Sequence, residues 1–283
     1  MPPAVSPASP AWLDADPGSL APTVLVIGGF ITSASWYGGL AEALRARGVA
    51  DVVVASIWTP DWILAAFRGV GPLTTRAGRA LLQASEASAA SPRSLGAPLL
   101  VVGHSAGGTL ARLLTSPVPF EGRRLNASGR IGALVTLGTP HLLGPDVRWG
   151  SRMARAGARF AERHVPGAYF APTTGYLAVA SRLIVGRLDG ENGRSRFVRD
   201  LYEGIMAQPE RDAVEGDGLV PAESALLPGA RHLVLPDATH GPGPLSPWYG
   251  SPTQLDEWWP AALETWHGAL AARRELAAAR RTA

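Results

Sequence analysis

The feature that most restricts this chain is Gly103-His104-Ser105-Ala106-Gly107-Gly108, which joins an apolar run at 99–102 to a helical pattern at 106–114. Such a junction demands a very tight turn from strand to helix. A side chain two residues before Ser105, or two after it, would collide inside that turn, so Gly stands at both places. The serine hydroxyl would then project above the carboxyl edge of a sheet. The N–H groups opening the next helix favour negative charge there. A plain Gly-rich turn that binds phosphate is the alternative, but G-x-x-x-x-G-K-[ST] does not fit and the chain has no Lys.

The rest of the first half agrees with this junction. Short apolar runs at 24–27, 52–55, 99–102 and 131–137 read as buried parallel strands, and helical patterns at 36–47, 74–90 and 106–114 lie between them. This alternation predicts an α/β fold, a mostly parallel sheet with helices on both faces. Loops after the strand ends then gather along one edge, where open sheets bind ligands. From about 145 to 213 the alternation stops in an Arg- and Ala-rich stretch, which reads as an inserted helical cap. One more strand is expected at 232–235 and a terminal helix or helix pair at 251–283. Residues 1–22 are rich in Pro, Ala and Ser and read as a loose arm before a single domain over 23–283.

Composition narrows the function classes. A chain of 283 residues with 46% hydrophobic residues can bury one large core. The formal charge of +3 comes with Arg as the only basic residue besides His, and no basic block is dense enough to argue for nucleic acid. Cys is absent, so thiolate metal sites and catalytic thiols are excluded. No secretory leader is visible and no run reaches the ~18 apolar residues of a membrane span, so the default expectation is a cytoplasmic protein.

GHSAGG, the early Gly28-Gly29-Phe30, the later LVTLGTPH at 134–141 and GDGLVP at 216–221, followed by a His near the C-terminus, together resemble the lipase/esterase branch of the α/β-hydrolase superfamily. The likeness covers roughly 22–145 and 214–245, and the pattern is similar to triacylglycerol-lipase-like and GPI-inositol-deacylase-like hydrolases. It implies the α/β-hydrolase fold and a chain order of nucleophile, acid and base. His240, in a loop after the last expected core strand, takes the base position. Asp217 is the favoured acid, since its flanking Gly residues permit a tight turn, although ERDAVEG before it makes a poor strand. Asp237 is the rival, three residues before His240. The resemblance further implies two oxyanion donors, the backbone N–H of Ala106 and that of Phe30. His104 is expected to point into the fold.

Three more residues are candidates for a substrate pocket: Trp58 and Trp62, which could equally be core, and His141 after GTP. In the cap, Trp149, Met153, Ala156 and Phe160 recur at helical spacing beside an Arg stripe at 148, 152, 155, 159 and 163. That pattern suits an interfacial lid meeting anionic lipid; a surface helix packed on the core is the plainer alternative. Ser-His-Asp chemistry needs no metal or cofactor. The expected activity is hydrolysis of carboxylic esters with lipid-like or apolar acyl groups. An acyltransferase, or a non-catalytic binding scaffold on the same fold, would be the other readings.

Overall fold

The computed structural model describes residues 10–144, 151–189, 193–205, 211–241 and 247–282, without the side chains at 66 and 151–154. In chain order the elements are β1 (Thr23–Ile27), α1 (Gly38–Ala46), β2 (Asp51–Val54), α2 (Thr59–Arg68), α3 (Gly71–Ala90), β3 (Leu99–His104), α4 (Ala106–Thr115) and β4 (Ile131–Leu137). There follow α5 (Ser151–His164), β5 (Gly175–Ser181), β6 (Ile184–Arg187), α6 (Gly193–Glu203), β7 (Ala213–Gly216), α7 (Ala222–Ala225), β8 (Arg231–Leu235) and α8 (Pro252–Thr282).

Six strands form one sheet in the order β2-β1-β3-β4-β5-β8, and every pairing in it is parallel. Both faces are covered, so the strands are apolar throughout, and alternate residues feed two separate cores. Val24 and Val26 of β1 join a core with Leu40 and Leu44 of α1 and Trp258 and Trp266 of α8. Leu25 and Ile27 face the other way, toward Leu73 and Leu81 of α3 and Leu110 of α4. The chain places β2 on one side of β1 and β3 on the other. The loops after β1 and β3 therefore part at a switch point, and Ile27 pairs with Gly103 at its lip.

Three expectations change. The segment at 145–213 is not a continuous helical cap, because β5 inside it is a sheet strand paired with β4 and β8. Its residues Tyr176 to Ser181 are all buried. The β6 and β7 strands form a separate antiparallel pair beside α6. The described part of the N-terminal arm is not loose: Trp12 and Leu20 are buried in the core that includes α8. Burial of Trp12 and Leu20 in the core that holds Trp258 and Trp266 offsets the ordering of this Pro-rich segment. Finally, 59–68 forms a helix, α2, that the sequence patterns did not suggest.

The apolar stripe expected on the cap helix is also redrawn. Trp149 and Arg148 lie outside the described residues, as do the side chains of Arg152 and Met153. Of the rest, Ala156 is exposed, whereas Gly157, Ala158, Ala161 and Val165 are buried. Gly157 lies against Leu113 and Thr109 of α4. The described part of α5 is packed on the core.

Candidate active site

Ser105 is the one residue between β3 and α4, with φ 53° and ψ −127°. That backbone is strained for any residue with a Cβ, and it is held by what surrounds it. A Cβ on Gly103 would come 2.5 Å from the Gly108 Cα, and one on Gly107 would run into the carbonyl oxygens of Ile27 and Gly28. The two Gly positions of the motif are thus required by close backbone approach. The Ser105 N–H donates to the Leu137 carbonyl at 2.9 Å, which ties the turn to β4.

Ser105, His240 and Asp217 meet in one hydrogen-bonded row. His240 Nε2 is 2.9 Å from Ser105 Oγ, and His240 Nδ1 is 2.8 Å from Asp217 Oδ2. An ionised carboxylate only accepts, so Nδ1 carries the proton and Nε2 is left to accept from the serine hydroxyl. The His240 backbone N–H donates to the Asp217 carbonyl at 3.0 Å, so the two loops are also joined through the main chain.

Asp217 is buried and held by several donors. Its Oδ1 accepts from the N–H groups of Leu219 at 3.0 Å and Val220 at 2.7 Å. Its Oδ2 also accepts from the Tyr249 hydroxyl at 3.0 Å. Burial pushes this carboxyl up, but His240 and the two N–H donors outweigh it, and the net direction is below the usual carboxylate range. Tyr249 is driven well above the usual phenol value by its own burial and by Asp217, so it stays a donor. The turn that carries Asp217 leaves β7, outside the main sheet, which accounts for the poor strand in front of it. Asp237 accepts instead from Gln254 Nε2 at 2.9 Å.

The loop after β1 runs alongside. A Cβ on Gly29 would lie 2.8 Å from the Ser105 Cβ, so this loop touches the serine directly. Neither the Phe30 nor the Ala106 N–H has a hydrogen-bond acceptor among the described residues. Phe30 is edge-on to Trp62 with ring centres 5.6 Å apart. The same loop is laced to α2, where Thr59 Oγ1 donates to the Ile31 carbonyl at 3.2 Å.

The pocket candidates fall differently. Trp62 is buried beneath Phe30, and Trp58 is exposed at the start of α2. His141 is buried: its Nε2 meets Thr136 Oγ1 at 3.0 Å and its Nδ1 faces Arg112 at 3.4 Å. Its backbone N–H donates to the Ser224 carbonyl of α7 at 2.7 Å. Two residues at the site have no sequence signature, Tyr249 and Tyr37. Neither belongs to a motif, and only their long-range partners mark them. Among the described residues, no cluster of three or more His, Asp or Glu has a metal-binding arrangement, and no helix is long and apolar enough to cross a membrane.

The chain matches no family model and no curated protein. Among solved structures it is similar to a Bacillus licheniformis lipase, BlEst2, in its mature form, with 16% identity over 88% of this chain and 92% of that one and a TM-score of 0.56. The propeptide form of that lipase aligns with 16% identity over 87% of this chain and 50% of its own, at a TM-score of 0.51. A thermophilic esterase from Thermogutta terrifontis, a planctomycete, aligns with 15% identity over 90% and 84% at a TM-score of 0.45. With its parallel sheet, its helices on both faces and its likeness to the BlEst2 lipase structures, the chain has the α/β-hydrolase fold.

Proposed function

We propose that the protein is a serine hydrolase of carboxylic esters, with Ser105, His240 and Asp217 as its catalytic residues. The hydrogen-bonded row from Asp217 through His240 to Ser105 carries this reading. In the first half-reaction His240 Nε2 takes the Ser105 proton as Oγ attacks the ester carbonyl. The N–H groups of Ala106 and Phe30 hold the oxyanion, and collapse expels the alcohol, which leaves with the proton from His240. Water then attacks the acyl-enzyme, with His240 again as base, releasing the acid and restoring Ser105.

An apolar acyl group is the favoured substrate, in line with the lipase/esterase resemblance. The support is an apolar rim: Phe30, Ile31, Trp36 and Trp58 are exposed on the loops after β1 and β2. Next to them α2 exposes Ile63, Leu64 and Phe67, the last at 85%. We assign to this surface the contact with a lipid interface that the sequence suggested for the cap helix. Turnover of p-nitrophenyl esters of increasing chain length, with and without an emulsion, tests both parts. Ser105→Ala should abolish turnover and fluorophosphonate labelling. Full activity in that variant would remove Ser105 from the mechanism.

A further inference from the structure

A second row of hydrogen bonds passes behind the first, and its protons can run in only one direction. His104 Nε2 is 2.7 Å from the His240 carbonyl oxygen, which can only accept, so Nε2 bears the ring proton. Burial first, and then the nearby His240, drive this imidazole down to about 3, so it stays neutral and its Nδ1 holds a lone pair. Tyr37 OH lies 2.8 Å from that Nδ1 and must donate to it. The same phenol oxygen accepts the Gly29 N–H at 2.8 Å. The Gly29 carbonyl is in turn fixed by Thr32 Oγ1 at 2.7 Å.

We propose that Tyr37 and His104 are positioning residues: a buried strut that holds the Phe30 loop and the His240 loop at a fixed separation across Ser105. One end accepts the N–H of Gly29, the residue directly before Phe30, the oxyanion donor. The other end grips the carbonyl of the catalytic base itself, whose N–H is already bound by Asp217. His104 follows Gly103 and precedes the nucleophile, so the strut is anchored at the rigid carboxyl end of β3. Trp248 closes it from water, with its ring centre 5.4 Å from that of His104 and 5.9 Å from that of Tyr37. A neutral strut of this kind adds no charge near the reacting atoms. It acts on geometry, which sets how well the two oxyanion donors and the base fit one transition state.

The inference rests on Ser105 being the nucleophile, and its test separates the two. Tyr37→Phe keeps the ring but removes the hydroxyl that bridges Gly29 and His104. His104→Leu removes both bonds of the imidazole, while His104→Gln restores a donor and an acceptor. With a short soluble p-nitrophenyl ester, Tyr37→Phe and His104→Leu should lose about 10- to 100-fold in kcat with KM nearly unchanged. Fluorophosphonate labelling should slow in parallel, and His104→Gln should recover most of the loss. Wild-type kcat in Tyr37→Phe overturns the strut, as does a His104→Gln variant as slow as His104→Leu when both melt like the wild type. Should His104→Leu fail to fold, the Tyr37→Phe result decides. A wild-type protein that fluorophosphonate does not label overturns the nucleophile reading instead.

Discussion

At the scale of single residues, the site is a set of groups with no freedom left. Gly29 lies so close to Ser105 that one methyl group would displace the loop bearing the Phe30 N–H. Gly29→Ala should therefore cut kcat by about 100-fold while the protein stays folded, as steady-state kinetics beside a thermal melt would show. Tyr249 gives Asp217 a donor that no motif announces. Donors to the ionised carboxylate lower its pKa, so Tyr249→Phe should raise it. A carboxyl held below its unfolded value stabilises the fold above that value, near ~3.9, and the contribution is lost as pH falls through the native pKa. Losing the Tyr249 bond should cost about 1.5–3 kcal/mol at neutral pH and move the onset of acid unfolding upward. Urea unfolding at several pH values would measure both. An unchanged acid limb would mean that the phenol contributes packing alone.

At the scale of elements, periodicity revealed the strands whose neighbours are regular and missed the others. β1, β3 and β4 are rich in Val, Leu and Ile and run into Gly28, Gly103 and Gly138, and their ends lie close to the expected ones. β5 is as buried as they are, but its Ala-containing run, Gly175 to Ser181, follows an Arg-rich helix and carries no alternation to separate strand from helix. β7 has four residues and pairs outside the main sheet, so its sequence shows no core strand. The sequence pattern points to an apolar surface on α5, whose described face packs on α4, whereas exposed apolar side chains lie on α2. On α2, Trp62 and Ala65 are buried while Ile63 and Phe67 are exposed. Ile63→Gln with Phe67→Gln should leave turnover of a soluble short-chain ester unchanged and lower turnover of an emulsified long-chain ester several-fold. Equal loss on both substrates would assign these side chains to folding rather than to an interface.

At the scale of the whole molecule, two buried imidazoles link stability to pH. His104 is driven down to about 3, by burial and then by His240, and His141 is driven well below the usual value by burial and then by Arg112. In the unfolded chain both would bind protons once pH drops below ~6.5. The unfolded state therefore holds more protons than the native state between about 6.5 and 3, and stability falls as pH falls through that window. Each histidine should add about one proton to the slope. Replacing His104 by Gln should flatten the pH dependence of unfolding free energy by about one proton, read from denaturant titrations across that range. A slope equal to the wild type's would show that the native ring titrates normally.

Much of this protein is written locally. The Gly-x-Ser-x-Gly turn, the strand before it and the helix after it are decided within about fifteen residues, because tight backbone approach and burial on both sheet faces act on neighbours in sequence. Ser105 could be named as a candidate for the same reason, and Asp217 and His240 from the chain order that the family resemblance implies. What sequence left open was which groups meet. The His240 ring reaches Ser105 across 135 residues of chain, and Asp217 rather than Asp237 faces it because the turn after β7, in the separate antiparallel pair, delivers that carboxylate. Tyr37, His104 and Tyr249 acquire their partners only when strand order brings the loops after β1, β3 and β8 to one edge. A hydrogen bond between distant loops is fixed by how the sheet is wound, and no stretch of sequence contains that order by itself.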